Sequence, residues 1–363
     1  LDNLLELHKI AAAHLYGIKK SSLIKLMNKA ESLESIFTSS IARLSQQTGI
    51  SENRLRSMKR AKALERAESI HSFNKRHGID HLFYQESNYP FQLKECKDGP
   101  ISLNILGPLS LKNRKIVAMV GTRKCSHFAR KMVDELVASF KGQDIIIVSG
   151  LALGVDTHVH ESCLKNNVPT AAILGHGLQM IYPQENRQIA KRIIDSGGAL
   201  ISEFDHRKKP NKYSFPQRNR IIAGMADITV VIESAIKGGG MITAELANGY
   251  SRDVMACPNS IINKNFGGCN ELIKKNKAHL LTEANDLFEL MNWSKKSRAI
   301  LDFDLTPEET SIVNSIQQNQ EIHINEIIQN TTLSAAKVQS TLMQLELKNL
   351  IFSDPNLCYS SKI

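Results

Sequence analysis

Between residues 4 and 76 apolar side chains recur at helical spacing among Lys, Glu and Ala, which predicts a series of short amphipathic helices. The stretch contains a weak internal echo, with Gly17-Ile18 followed by Leu23 and Met27, and Gly49-Ile50 followed by Leu55 and Met58. Each copy reads as a short helix, a turn opened by glycine and a second helix. Two architectures fit: a tandem helix-hairpin-helix (SAM-like) unit whose turn amides touch a nucleic-acid backbone, and a plain helical bundle with glycine C-caps.

From Lys115 the texture changes to short β-branched runs alternating with amphipathic helices. The predicted strands are Ile116 to Val120, Ile145 to Ser149, Thr170 to Leu174, Ala199 to Ser202, Ile228 to Ile232, Val254 to Ala256 and Ala278 to Leu281. Most are apolar throughout, as strands covered on both faces are, and their alternation with helices predicts an α/β fold with a doubly wound, mainly parallel sheet. Residues 78–114, with Tyr89-Pro90 and Gly99-Pro100, read as an irregular lead-in. A polar linker is expected over residues 294–303, opened by Ser294-Lys295-Lys296-Ser297. Residues 304–363 then read as three helices and a β-hairpin turning at Asp354-Pro355-Asn356, a winged helix. The expected domains are therefore 1–77, 78–293 and 304–363.

Composition adds a partner class. The chain has 363 residues, enough for two or three domains, and its 42% hydrophobic and 23% charged residues are those of a globular protein. A net charge of +10 favours an anionic partner. Residues 1–77 carry 14 Lys and Arg against 7 acidic residues, whereas residues 304–363 carry 3 against 7. The basic surface lies ahead of the tail. Six scattered cysteines without a CxxC pair read as reduced thiols of a cytoplasmic protein, with no metal site. No apolar run reaches the roughly 18 residues of a membrane span. The chain opens at Leu1, and the residues that follow lack the pattern of a removable leader.

In an open parallel sheet ligands sit beyond the carboxyl ends of the strands, so the residues after each strand carry the chemistry. The first predicted parallel strand runs into Gly121-Thr122-Arg123-Lys124-Cys125-Ser126, the second into Gly150-Leu151-Ala152-Leu153-Gly154-Val155-Asp156, and a third turn is Gly238-Gly239-Gly240-Met241-Ile242-Thr243. Glycine lets a backbone approach an oxyanion, and a helix N-terminus adds free amides, so the turns together form a phosphate cradle with Arg123 beside it. The GxGxxG dinucleotide spacing and the Walker GxxxxGK[ST] are both absent, which argues against nicotinamide or nucleoside-triphosphate chemistry. The segment from His206 to Arg220 holds six Lys and Arg and two aromatics in fifteen positions, the mixture that neutralises phosphates and stacks a base. Asp156 and His160 read as structural rather than acid/base groups, Asp156 capping the helix and His160 packing beside the loop.

Together, Val120-Gly121-Thr122-Arg123, Ser149 to Asp156 with His160, Ile181 to Asn186, Phe215 to Gly224 and Gly239 to Ala244 resemble the DNA-processing protein A (DprA/Smf) family in order and spacing, over about residues 80 to 290. The resemblance implies an extended Rossmann-like domain that binds single-stranded DNA, self-associates as a dimer, protects incoming DNA and helps load a RecA-type recombinase in natural transformation. It implies a non-enzymatic protein needing no cofactor. By the family's motif Arg123, Lys212, Phe215 and Arg218 would line the DNA pocket, and Gly121, Ser126, Gly150 and Gly240 would present donors. Thr122, Asn219, Arg220, Gly239 and Thr243 complete the candidate DNA-binding set. The chain departs from the family pattern at Leu153, Phe128-Ala129 and Asn259. A rival is a nucleotide phosphoribohydrolase, because Gly239 to Glu245 resembles the PGGxGTxxE motif of that family, with Glu245 acting on the N-glycosidic bond; Ile242 stands where that motif has glycine. A third reading is a scaffold whose winged helix does the binding.

Overall fold

A computed structural model of the chain describes residues 2–262, 266–294, 305–317, 319, 321–331, 333–348, 350–354 and 357–361. All but the first position of the expected linker, and Pro355 and Asn356 of the expected hairpin turn, lie outside the described residues. The chain divides into two compact units, Leu1–Trp293 and Ser294–Ile363.

In the first unit nine strands form one sheet: β1 (Ile79–Phe83), β2 (Ser102–Leu106), β3 (Lys115–Gly121), β4 (Ile145–Ser149), β5 (Thr170–Ile173), β6 (Ala199–Ser202), β7 (Ile228–Glu233), β8 (Asp253–Ala256) and β9 (His279–Leu280). Their order is β1-β2-β6-β5-β4-β3-β7-β8-β9. The run from β6 to β9 is parallel throughout, matching the seven predicted strands. The expectation of an irregular lead-in is corrected: β1 and β2 pair antiparallel with each other, and β2 continues the sheet antiparallel to β6. Their alternation is masked because β2 is almost wholly buried, and Asp80 and His81 interrupt the apolar pattern of β1.

Period-two alternation divides the interior. Ile116, Ala118 and Val120 of β3 join a core on one face, while Val117 and Met119 join a second core on the other, with the helices His127–Ser139 and Val155–Asn166. The first core also contains Ile10, Leu26, Leu44 and Ile70 from the N-terminal helices. Those helices, including Ile41–Thr48 with Gly49 as its left-handed C-cap, thus share an interior with the sheet. Strand order reverses at β3, where β4, β5 and β6 lie to one side and β7, β8 and β9 to the other. That switch opens a crevice at the carboxyl edge.

In the second unit the helices Pro307–Gln317, Ile324–Asn330 and Ala335–Leu347 pack on a three-stranded sheet of β10 (Ile322–His323), β11 (Ile351–Ser353) and β12 (Cys358–Ser361). Its core holds Ile312, Ile316, Ile327, Val338, Leu342 and Tyr359. β10 adds one strand to the predicted hairpin, pairing antiparallel with β12. The result is a winged helix.

Candidate nucleic-acid interface

The loops after β3 and β4 interlock. The Thr122 amide donates to the Glu233 carbonyl (2.7 Å) at the end of β7, and the Val155 amide donates to the Thr122 carbonyl (3.0 Å). Gly154 makes this possible: its φ is +86° and a Cβ would lie 2.3 Å from the Thr122 oxygen. The buried Glu233 carboxylate accepts from the Ser126 hydroxyl (2.8 Å), the Ser126 amide (3.0 Å) and the Asn259 side-chain amide (3.1 Å). Arg123 stands exposed between these anchored ends.

Arg218 forms the floor. It leaves the helix Ser214–Met225, is 4% exposed, and donates to the Ile173 carbonyl (2.6 Å) at the end of β5. A Cβ on Gly150 would lie 2.0 Å from its guanidinium, so that glycine makes room for the arginine. Burial, opposed by the nearby Asp156 carboxylate and reinforced by Arg123, pulls the Arg218 pKa down to about 10. The guanidinium therefore remains charged at neutral pH. Burial pushes the Asp156 carboxyl up, against the pull of Arg218. Asp156 accepts from the Ala152 amide (3.4 Å) in the preceding loop, and the N-cap position itself is held by Gly154. The expected cap is thus a loop clasp. His160 is buried with Nδ1 2.9 Å from the Thr170 hydroxyl, and burial beside Arg218 drops its pKa to about 3. The ring is therefore neutral at neutral pH and packs behind the loop, bonded to Thr170.

The remaining walls come from the loop after β6 and the turn after β7. Asn211 Oδ1 accepts from the Tyr213 and Ser214 amides (both 2.9 Å), fixing the start of the helix that carries Phe215, Arg218 and Asn219. Lys212 is exposed, with Nζ 5.0 Å from the centre of the Tyr213 ring. Phe215 is half-buried, and its ring lies 5.7 Å from that of Tyr182, which is 48% exposed. Opposite, the helix Gly239–Gly249 points its N-terminus into the crevice, and Thr243 Oγ1 donates to the Gly239 carbonyl (3.3 Å).

These groups line one open cleft of about 720 Å³. It brings together Gly121, Thr122, Arg123, Lys212, Phe215, Arg218, Asn219, Gly239, Gly240 and Thr243. Three candidates lie elsewhere. Ser126 is committed to Glu233 and to the Ala129 amide (3.1 Å), and Gly150 sits behind Arg218. Arg220 bonds to the Glu203 carboxylate and the Asp98 carbonyl, tying the helix to the lead-in. Sequence reasoning did not single out Tyr182, Pro210 or Asn211 as site residues, yet all three line the cleft. An aromatic directly after a strand-following loop was the available signal for Tyr182.

Comparison with known proteins places the chain in a family. A family model for DNA recombination-mediator protein A matches residues 80–292, and one for the DprA winged helix domain matches residues 298–356. DNA processing protein DprA of Streptococcus pneumoniae is 38% identical over 199 residues, spanning 55% of this chain and 70% of that protein. Protein Smf of Synechocystis is 32% identical over 320 residues, spanning 76% and 79%. The solved structure of DNA processing protein A from Streptococcus pneumoniae superposes with a TM-score of 0.65 at 28% identity, covering 78% of this chain and 97% of that one. That from Helicobacter pylori, solved to describe its single-stranded DNA binding mode, gives 0.51 at 27%, covering 59% and 95%. With its first family match spanning more than half of its length, the chain belongs to the DNA recombination-mediator protein A family, the DprA/Smf proteins.

Proposed function

We propose that the cleft holds the backbone and one or more bases of single-stranded DNA. The observation that carries this reading is the meeting of three cations, exposed Arg123 and Lys212 and the buried, charged Arg218, with the rings of Phe215 and Tyr182 along one open channel. Phosphates are met by guanidinium, ammonium and the amides of the helix at Gly239, while a base finds an aromatic face. The Helicobacter pylori relative, solved to describe its single-stranded DNA binding mode, supports the same ligand. We extend the reading, on what the sequence resemblance implies, to a cytoplasmic homodimer that binds incoming DNA in natural transformation and hands the strand to a RecA-type recombinase. The role is binding rather than catalysis.

Oligonucleotide titration across a salt series tests the assignment. Arg123→Ala and Lys212→Ala should each weaken binding and flatten the slope of log affinity against log salt by about 0.7. Phe215→Ala should cost about 1 to 3 kcal/mol of stacking with an almost unchanged slope. Folded variants that bind as tightly as the parent would remove the cleft from the function.

A further inference from the structure

The N-terminal helices dock on the loop that supplies Lys212. One face of the helix Arg60–His77 presents Lys62, Arg66 and Phe73, spaced four and seven residues apart, with Lys59 just before it. Arg66 and Phe73 of this helix meet the loop after β6. The Phe73 ring stacks on His206 with centroids 4.2 Å apart, and Arg66 Nε donates to Asp205 Oδ2 (2.9 Å). Arg66 also reaches the Tyr16 hydroxyl (3.2 Å), so Tyr16 and Asp205 are joined through one side chain. Around the Tyr16 ring stand two ammonium groups, Lys59 at 6.0 Å and Lys62 at 5.8 Å from its centre. The Tyr16 amide donates to the Met58 carbonyl (3.2 Å), which fixes the turn at Gly17 against the start of that helix.

From Asp205 the loop continues through Arg207, Lys208 and Lys209, all exposed, to Lys212 in the cleft. Asp205, the carboxylate between the two regions, is already paired with Arg66 and accepts from the Arg207 amide (2.9 Å). Lys59, Lys62, Arg207, Lys208 and Lys209 make no ion pair among the described residues. Cations without an ion-pair partner thus lie both on the loop leading from the cleft and beside Tyr16, and the Arg66 side chain joins the two regions. Such an arrangement matches the regular negative charge of a nucleic-acid strand.

We propose that the strand leaving the cleft passes over Arg207, Lys208 and Lys209 onto the N-terminal helices, where Lys59 and Lys62 beside Tyr16 form a second seat for its sugar–phosphate backbone. This rests on the reading of the cleft as a single-strand site. It gives the glycine-turn helices a nucleic-acid contact, with lysines as its principal donors.

Full-length parent, Lys59→Ala/Lys62→Ala, Lys59→Arg/Lys62→Arg and Arg123→Ala are titrated with oligothymidylates of about 6 and about 30 nucleotides across a salt series. The double alanine variant should bind the short strand as the parent does and the long strand more weakly. Its slope on the long strand should fall by about 1.4, two phosphates at about 0.7 each, so the parent's advantage shrinks about sevenfold from about 50 to about 200 mM salt. The double arginine variant should retain parental binding. Parental affinity and slope for the long strand in a double alanine variant of unchanged melting temperature would overturn the second seat, as would an equal loss on both strands. Arg123→Ala should weaken both strands; parental binding of the short one by this variant overturns the cleft reading, and with it the route that begins there.

Discussion

Beneath the cleft, three buried polar residues set the local chemistry by mutual position. Arg218 keeps its charge because the Ile173 carbonyl accepts from it and Asp156 opposes the burial cost, which leaves a fixed cation with little freedom to lose when a phosphate arrives. His160 pays no such compensation from a carboxylate. Its folded pKa of about 3 lies well below the ordinary 6.5, so the native state binds a proton less readily than the unfolded chain. The stability associated with the neutral ring is present above about pH 6.5 and is lost as pH falls toward 3, at about 1.4 kcal/mol per unit. His160→Gln, which removes the titrating group, should therefore be less stable than the parent at pH 7.5 yet lose less on acidification to pH 5. Denaturant midpoints that fall in parallel for the two proteins would show that His160 does not carry this dependence.

At the scale of elements, one short helix separates the binding and enzymatic readings. The helix Gly239–Gly249 turns its first residues into the cleft, where Gly239, Gly240, Ile242 and Thr243 line the wall. Glu245, the residue the phosphoribohydrolase motif would use, is exposed and does not belong to that lining. Ile242 is 41% exposed at the turn, in the place that motif leaves open. Incubation with adenosine monophosphate should therefore release no free adenine; release that disappears in Glu245→Ala would establish the enzymatic reading. The departures at Phe128 and Leu153 leave both side chains exposed outside the cleft lining, whereas Asn259 is bonded to Glu233 and helps to hold the loop behind Arg123.

Across the whole molecule, charge and contacts assign the two units different work. The winged helix has its own core, and its third helix, the groove reader of DNA-binding relatives of this shape, offers few cations. Lys348, just past its end, pairs with the buried Glu309 (2.7 Å), leaving Lys337 as the lysine within the helix. A protein ligand suits this surface better than a polyanion. Truncation after Trp293 should leave single-strand affinity within about threefold of the parent, since few of the phosphate contacts that dominate such binding would be lost. A tenfold loss in a truncated protein that still melts cooperatively would assign the unit a direct DNA contact. Among the described residues, no helix is long and apolar enough to cross a membrane.

Patterning alone determined the seven parallel strands, the winged helix and the glycine turns that line the cleft, because each is a local signal: apolar runs between turn residues, and glycines placed directly after them. The cation-rich segment was legible for the same reason, and it supplied Lys212, Phe215 and Arg218. What the chain could not announce was which of its cations face solvent and which are already bonded. Arg220 and Arg218 lie two positions apart on one helix, yet one is drawn to Glu203 and the other into the space left by Gly150, a choice made by partners far away in sequence. The antiparallel pair β1 and β2 was hidden likewise, since its burial depends on N-terminal helices folding over it. Tertiary packing decided these matters because burial, and the pairing that burial requires, belongs to the assembled fold and not to any segment of it.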